Sequence, residues 1–350
     1  MSGIEAKTGQ YLIQISYLND LIGFKLKIQN IGKRDRSALS DFHWQILKSR
    51  QMIFEMPEIL VAKPNEKLCL FALMTKEFYS NMSIFKSFLN AHNIMIEYEI
   101  PTVSITLFQY CFAYTMQVRL SPYWNYVNGL FIKGKYFILE KNLLDSVEVK
   151  ISAENEQTMS LKIKGFRVQM PPPSLEDFTS NIKQIKCLRE KKIEKINFEK
   201  KQILKLPSLL PGEVESISTS IPKSCPLRSY NDMRRHWKNM YGYRLPDSGE
   251  DIYYVNVHVR LGQYIDEKCY PHICGRLEPI QQIYVPNSED IVQSFVSTLD
   301  SNMGLNNICN HAIRIQPYLP TLKSMTQDFT QNISLCTPTL RSGSSFAGNY

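Results

Sequence analysis

The sequence predicts an α+β fold in which mainly antiparallel sheets carry packed helices and the chain divides into two lobes. Three observations lead to this prediction. Apolar and polar residues alternate in several short runs along the first 170 residues, and runs with helical spacing lie between them. Pro171-Pro172-Pro173 then interrupts any helix or strand. The 350 residues suffice for one large or two ordinary domains, and 43% hydrophobic residues is typical of a globular chain.

The N-terminal elements follow from hydrophobic periodicity and from the positions of capping residues. Gly23–Ile28 alternates apolar and basic residues, which predicts a strand with one exposed face. Ser37 or Ser40 suits the N-cap of a helix that ends near Phe54, before Pro57. The elements predicted before residue 100 are, in order, strands at 11–16 and 23–28, that helix, a strand at 68–74, a helix at 77–91 and a strand at 94–98.

The most regular alternation of the chain lies at Tyr110–Leu120, where every second residue is large and apolar. This period of two predicts a strand. Two short strands are predicted next, at 129–133 and 136–139. The polar residues Glu154–Gln157 separate two further runs, at 147–153 and 159–168, which predicts a hairpin.

The formal net charge of +8 is concentrated in one segment. Lys183–Lys205 holds nine basic and three acidic residues, a net +6. We predict that a helix begins at or just after Ser174, continues through this segment, and ends before Pro207. Its isoleucines would give it a core-facing side, so a solvated basic face is the simpler interpretation and a contact surface the more specific one.

The predicted organisation has four parts. An N-terminal α+β lobe spans 1–170, a proline-bounded basic helix and connector spans 171–212, a C-terminal α+β lobe spans 213–325, and a disordered tail spans 326–350. The C-terminal lobe is predicted to hold a helix after Ser229, strands at 252–260 and 281–285, and a helix at 288–299.

The helix after Ser229 has defined ends in the sequence. Ser229 is a suitable N-cap with Asp232 three residues later, and Gly242 stands where a glycine ends a helix. Met233 and Trp237 share its apolar face. Two interpretations remain open, a structural helix anchored by Trp237, and a recognition helix whose cations bind an acidic partner or phosphates. Those cations are Arg228, Arg234, Arg235 and Lys238.

This motif, Cys225-Pro226 to Leu245-Pro246, resembles the signature of an uncharacterised animal family. The vertebrate member of that family is named only after an open reading frame on chromosome 18, and its shared part is a domain of unknown function. Shorter stretches at Val118–Asn125, Leu130–Gly134 and Arg167–Pro171 fit the same pattern in order. The resemblance implies no catalytic residues. Separately, Leu68–Tyr98 is similar to the terminal part of a small subunit of the shieldin DNA-repair complex.

Sites of chemistry are not evident in the sequence. Cys269, His272 and Cys274, with His258 nearby, are the best metal-ligand candidates, but their spacing lacks the paired pattern of a zinc site. Neither a Gly-x-Ser-x-Gly elbow nor a glycine-rich phosphate loop occurs. We therefore expect no enzyme activity, no cofactor and no metal. The first seven residues lack the pattern of a secretory signal, so the eight cysteines are expected to be free thiols of an intracellular chain, in nucleus or cytoplasm.

Two functional hypotheses remain open. The first is a non-enzymatic interaction or scaffold protein with a protein partner, because a large aromatic-rich chain lacks a catalytic constellation. The alternative is a nucleic-acid-binding protein, or an adaptor in genome maintenance, that uses the basic helix 183–205. Neither involves a membrane, since no apolar run approaches roughly 18 residues. The predicted partner surface comprises Lys186, Lys200, Lys201, Arg228, Arg234, Arg235 and Lys238.

Overall fold

The computed structural model describes residues 8–29, 40–81, 83–261, 264–304, 308–309 and 311–318. Within these residues the chain forms three sheets whose strand pairs are all antiparallel, together with eight α-helices. The predicted α+β class is therefore confirmed. None of the helices in these ranges is long and apolar enough to cross a membrane.

A four-stranded sheet forms from the first hundred residues. Its strand order is β3-β4-β2-β5, and its core includes Phe24, Phe85 and Met52. The predicted helix at 77–91 is two shorter helices, which meet near Asn81. The elements are β2 (Leu21–Ile28), α1 (Asp41–Glu55), β3 (Leu60–Ala62), β4 (Cys69–Thr75), α2 (Lys76–Ser80), α3 (Ser83–Ala91) and β5 (Ile94–Ile100).

A seven-stranded sheet is the largest of the three. The helices α4 (Ile105–Arg119) and α8 (Glu289–Met303) pack on it around Phe112, Trp124 and Phe295. Its path runs β16-β1-β9-β8-β7-β6, and β15 pairs with the end of β9. The strands are β1 (Thr8–Gln14), β6 (Trp124–Val127), β7 (Leu130–Lys133), β8 (Leu144–Ala153), β9 (Thr158–Gln169), β15 (Gln281–Ile283) and β16 (Ile315–Pro317).

A five-stranded sheet completes the fold, in the order β13-β12-β11-β10-β14. Two short helices supply Phe178, Ile185 and Leu188 to the core on this sheet. The helix α7 packs in a separate cluster that joins residues of this sheet and of the seven-stranded sheet. The elements are α5 (Leu175–Phe178), α6 (Ile182–Arg189), β10 (Lys195–Lys205), β11 (Leu210–Ser218), α7 (Tyr230–Tyr241), β12 (Tyr254–Leu261), β13 (Tyr264–Pro271) and β14 (Gly275–Arg276).

The prediction of a strand at Tyr110–Leu120 was wrong, because this segment is the helix α4. Ser104 caps the helix, and its Oγ accepts a hydrogen bond from the N–H of Leu107 at 3.2 Å. The helix contacts strands of two sheets and two other helices, so apolar residues occur on several of its faces. A helix that is apolar on most of its faces shows no clear helical period in its sequence. The period of two at Tyr110–Leu120 is therefore a coincidence and does not indicate a strand.

The prediction of one basic helix to Lys205 was also wrong. The helix α6 ends at Arg189, Lys191 has a positive φ of 55°, and β10 begins at Lys195. Ile196 and Ile203 of that strand are buried in the core of the five-stranded sheet. A register shift between Asn197 and Lys201 interrupts the alternation of apolar and polar residues in β10. The sequence therefore lacks the regular period of two that would predict this strand. The basic segment is therefore a helix, a turn and a strand.

The triple proline does not separate the sheets. Two strands that follow it in the chain, β15 and β16, join the seven-stranded sheet, and the described residues up to Pro317 form one compact unit. The four-part division of the chain stays a prediction, and a boundary at residue 171 would be crossed by this sheet. The predicted disordered tail, 326–350, lies outside the described residues.

The contact of α8 with β9 requires a glycine. A Cβ at Gly165 would lie 2.8 Å from the backbone oxygen of Ser288, just before α8. We expect Gly165→Val to displace the start of this helix and to lower the free energy of unfolding by about 1–3 kcal/mol. Urea denaturation measures the change. Lys162→Val, at an exposed position of the same strand, is the control and should change stability by less than about 0.5 kcal/mol. Equal stability of the two variants would contradict the close approach.

Candidate functional site

The helix α7 has the ends that the sequence predicts. The Oγ of Ser229 accepts a hydrogen bond from the N–H of Asp232 at 3.1 Å and donates to its carboxylate at 2.8 Å. The helix stops at Gly242, which has a φ of 79° and donates its N–H to the oxygen of Lys238 at 2.9 Å. A Cβ at Gly242 would collide with the Oγ of Ser121. Glycine is therefore required here both by conformation and by space.

The inner face of α7 is buried against aromatic residues. Met233, Trp237 and Met240 are all buried. The ring of Trp237 is nearly parallel to that of Tyr243, with centroids 6.0 Å apart. The hydroxyl of Tyr243 donates to the backbone oxygen of Tyr126, on β6, at 2.6 Å. These contacts hold α7 in one rotation about its axis, so its opposite face has a defined direction.

The outer face of α7 lines a depression of about 380 Å³. Arg235 and Lys238 are exposed there, and Arg234 is half-buried and forms an ion pair with Asp247. Arg244, two residues after the helix stop, lies in the same wall. The depression therefore brings four cations together on one side of the helix.

A second depression, of about 420 Å³, adjoins the first and shares Lys238, Asn239 and Arg244 with it. Arg50 of α1 and the Ser121-Pro122 turn form its other walls. We call the two depressions together the cationic groove. Among the described residues, the cations that line it are Arg50, Arg234, Arg235, Lys238 and Arg244, and the one acid is Glu55.

Three other predicted cations, Lys186, Lys201 and Arg228, do not line this groove. Lys186 of α6 forms an ion pair with Glu190 at 3.8 Å, and Lys201 of β10 donates to the backbone oxygen of Asp177 at 2.8 Å. Lys200 lies beside Lys201 on β10. Arg228 donates to the backbone oxygen of Lys223 at 3.1 Å. Three of the seven predicted partner residues therefore lie in the groove (Arg234, Arg235 and Lys238), and three others lie outside it (Lys186, Lys201 and Arg228).

Two cations of the groove escaped prediction. Arg244 belongs to the central motif and follows its helix stop, which is a signal that could have included it. Arg50 has no such signal, because it lies within a predicted helix, outside both the central motif and the basic segment. Only the packing of α1 against α7 brings Arg50 to the groove.

The candidate metal ligands of the sequence do not meet. Among the described residues, one group of three potential ligands has its ligand atoms within 4.8 Å of one another, and it is Glu66, Cys69 and Glu97. The Nζ of Lys25 lies 2.8 Å from Glu66 and 3.2 Å from Glu97, and its hydrogen bond lowers the pKa of the Glu66 carboxyl to about 2. The lysine already compensates these carboxylates, so they do not call for a cation.

Two thiols, the buried Cys225 and the half-buried Cys269, lie near the start of α7. Cys225 and Cys269 line a cavity of about 240 Å³ beside the five-stranded sheet. The side-chain hydrogen bond from Cys269 lowers the pKa of the Cys225 thiol to about 7. The described residues at this cavity include no histidine. Neither thiol therefore has, among them, the general base that commonly activates a nucleophilic cysteine.

Two histidines are held in the neutral form. Burial lowers the pKa of His272 to about 4, and its Nδ1 accepts a hydrogen bond from the N–H of Tyr253 at 3.1 Å. Burial also lowers the pKa of His236 on α7 to about 4, with a further contribution from His43, whose ring centroid is 5.4 Å away. Protonation of either ring would place a charge in an apolar contact.

Comparison with known proteins gives a family and no activity. A family model described as a domain of unknown function (DUF4708) matches residues 10–284. A structure of the Argonaute of Marinitoga piezophila with 5' OH guide RNA and target DNA is 12% identical, with a TM-score of 0.36 over 89% of this chain. The Argonaute protein of Methanocaldcoccus janaschii is 8% identical, with a TM-score of 0.29 over 80%. This chain spans 40% and 34% of those two proteins, and likeness at this level carries no argument.

Trp237 is expected to be essential for stability. Its side chain is 3% exposed and contacts several aromatic rings, so Trp237→Ala would leave a large cavity. We expect the free energy of unfolding to fall by about 3–5 kcal/mol. Chemical denaturation of the variant and the parent protein measures this difference. A variant that is as stable as the parent but has lost a binding partner would show that Trp237 is a contact residue instead.

Acid is expected to destabilise the protein through His236 and His272. Both have a pKa near 4 in the folded chain against an ordinary 6.5, so the unfolded chain binds more protons between these values. Stability from these groups is complete above pH 6.5 and falls as the pH drops towards 4. Between pH 7 and pH 5, each histidine should lower the free energy of unfolding by about 1–2 kcal/mol. Urea denaturation at pH 7 and pH 5 tests this, and His236→Gln with His272→Gln should reduce the difference. Equal pH dependence in both proteins would refute the assignment.

Proposed function

Because the chain belongs to the DUF4708 family, a domain of unknown function, no activity comes with its family, and we propose from the geometry that it is a non-enzymatic protein that binds nucleic acid through the cationic groove. One observation carries this proposal. Five cations from α1, α7 and the segment after α7 line the groove, and a single acid lines it with them among the described residues. One of the five, Arg234, is paired with Asp247, which leaves four without an ion pair among these residues.

The arrangement of these cations suits a phosphate backbone. Arg235 and Lys238 lie three residues apart on one side of a helix whose other side is buried, so their direction is defined. Arginine guanidinium groups match phosphate oxygens in a two-pronged geometry, and lysine adds a mobile point charge. A groove with converging cations attracts a polyanion and retains it by releasing counterions, without a requirement for base sequence.

The basic segment of the sequence supports this function less well than the groove does. Its lysines are divided between α6, a turn and β10, and several are engaged locally, as Lys186 is with Glu190. We therefore assign the proposed contact to α7 and not to residues 183–205. The hypothesis of nucleic-acid binding is retained with a different surface.

A protein partner is the second candidate, and the edge strand β5 favours it. This strand ends the four-stranded sheet and exposes the large apolar side chains of Met95 and Tyr98. An extended segment of another protein could pair with such an edge through backbone hydrogen bonds. Binding of this kind depends weakly on salt, which distinguishes it from binding at the groove.

Salt titration with matched charge reversals tests the proposal. We expect labelled single-stranded and double-stranded DNA and RNA of generic sequence to bind with an affinity that falls steeply as KCl rises. Arg235→Glu with Lys238→Glu should weaken binding and reduce the slope of log K against log salt by about 2, since two phosphate contacts are removed. Fluorescence anisotropy measures both quantities.

The control carries the same change of charge on α6. Lys186→Glu with Lys192→Glu alters two exposed lysines outside the groove and should leave affinity and slope nearly unchanged. Loss of binding in this variant, with the groove variant unaffected, would return the contact to the basic segment. No salt-dependent binding by the parent protein would refute the proposed function and favour the protein partner.

A further inference from the structure

We propose that the recess at Arg50 is a phosphate-binding pocket, in which Arg50, Arg244 and Lys238 hold one phosphate group. The inference deepens the proposed function, because the phosphate would belong to the nucleic acid in the groove. The proposed ligand is a phosphate group, either a terminal phosphate of the nucleic acid or an internal phosphate of its backbone.

Arg50 is the residue that points to a ligand. Its side chain is 8% exposed, and among the described residues neither a carboxylate nor a hydrogen-bond acceptor contacts its guanidinium. The ring of Phe54 makes a cation–π contact with Arg50, and its centroid lies 5.6 Å from Cζ. A buried charge normally has a partner, since removal from water without one is costly. Burial lowers the pKa of Arg50 to about 10, which still leaves it charged at neutral pH.

Two other buried arginines donate to several backbone oxygens, although the Nε of Arg276 also has no hydrogen-bond partner among the described residues. Arg119 is 9% exposed and donates to the backbone oxygens of Met303, Pro57 and Ile59. Arg276 is 1% exposed and donates to the backbone oxygens of Ile273, Gly275 and Ile138. Each structural arginine has three carbonyl partners, whereas Arg50 has none among the described residues. Arg50 is therefore placed differently from the arginines that stabilise the core.

The wall opposite Arg50 adds a second unpartnered donor. The Nε of Arg244 is buried and has no hydrogen-bond partner among the described residues. The positive charge of Arg244 also disfavours the charged form of Arg50, so the two like charges repel each other across the recess. An anion between them would accept from both donors and remove the repulsion. Phosphate offers several oxygens for such shared contacts.

The backbone shapes the recess around these two arginines. A Cβ at Gly242 would lie 3.0 Å from Nη2 of Arg50 and would collide with the Oγ of Ser121. The glycine therefore lets the end of α7 approach both groups. Lys238 is exposed at the opening, where it can reach a bound anion. Glu55 also lines the recess, but its side chain is 56% exposed, so water screens its charge.

The first test measures thermal stability with inorganic phosphate at constant ionic strength, with chloride as the reference. Phosphate should raise the melting temperature of the parent protein and leave that of Arg50→Met unchanged. In the absence of phosphate, Arg50→Met should melt at or above the temperature of the parent, because the substitution removes an unpaired buried charge. A melting temperature that falls well below that of the parent would show that Arg50 is a structural residue and would overturn the pocket.

The second test measures affinity for two oligonucleotides of one sequence, with and without a terminal phosphate. Arg50→Met and Arg244→Met should each weaken binding by about tenfold or more, and Arg50→Lys by less, since it keeps the charge but loses the planar fork. Stronger binding of the phosphorylated oligonucleotide would assign the pocket to a terminal phosphate. Equal binding of both, with the same loss in Arg50→Met, would assign it to an internal one.

The failures of the pocket and of the proposed function are distinguishable. If Arg50→Met and Arg244→Met bind both oligonucleotides as tightly as the parent, the pocket is refuted while nucleic-acid binding stands. If inorganic phosphate stabilises the parent but neither oligonucleotide binds, the pocket stands and the proposed function is refuted. Lys186→Glu with Lys192→Glu should retain the stabilisation by phosphate, because it leaves the recess unchanged.

Discussion

The packing of Trp237 against Tyr243 is the interaction on which the architecture around α7 depends. The two rings are nearly parallel and lie in a cluster with Phe166 of the seven-stranded sheet and Tyr254 of the five-stranded sheet. The hydroxyl of Tyr243 adds a hydrogen bond to the backbone of β6. One aromatic cluster thus joins two sheets and orients a helix. Without it, α7 would have no defined rotation, and its cations no common direction.

The orientation of α7 has an electrostatic consequence. With Trp237 buried, Arg235 and Lys238 face away from the core, and the turn at Gly242 brings Arg244 back towards Arg50. The charges of Arg244 and Arg50 repel each other, and Arg50 is buried as well, so the arrangement opposes folding locally. The apolar packing beneath α7 offsets this unfavourable electrostatic repulsion. A fold that accepts such a local cost at one place is typical of proteins with a binding site there.

Net charge along the chain is a poor guide to where cations converge. The segment with most of the excess charge forms three short elements, and its lysines contact Glu190 and the backbone of Asp177. The cationic groove, in contrast, collects Arg50 from α1, Arg244 from a loop and the others from α7. The surface potential is the sum of charges that different elements bring close together. The composition of one segment therefore does not show where that potential is high.

The sequence by itself determined the α+β class, most strands of the four- and seven-stranded sheets, and both ends of α7, because periodicity, capping residues and glycine act over a few neighbouring residues. It misassigned α4, β10 and residues 136–139, where the predicted strand is a short 3-10 helix at Phe137–Leu139. In α4, burial on several sides removed the helical period, and in β10 a register shift removed the alternation. Three of the five cations of the groove were visible in the sequence, as the cations of α7. Arg50 was not, since only the contact of α1 with α7 brings a residue 184 positions before Arg234 to the same recess. Such contacts depend on the packing of distant elements, which tertiary structure alone decides.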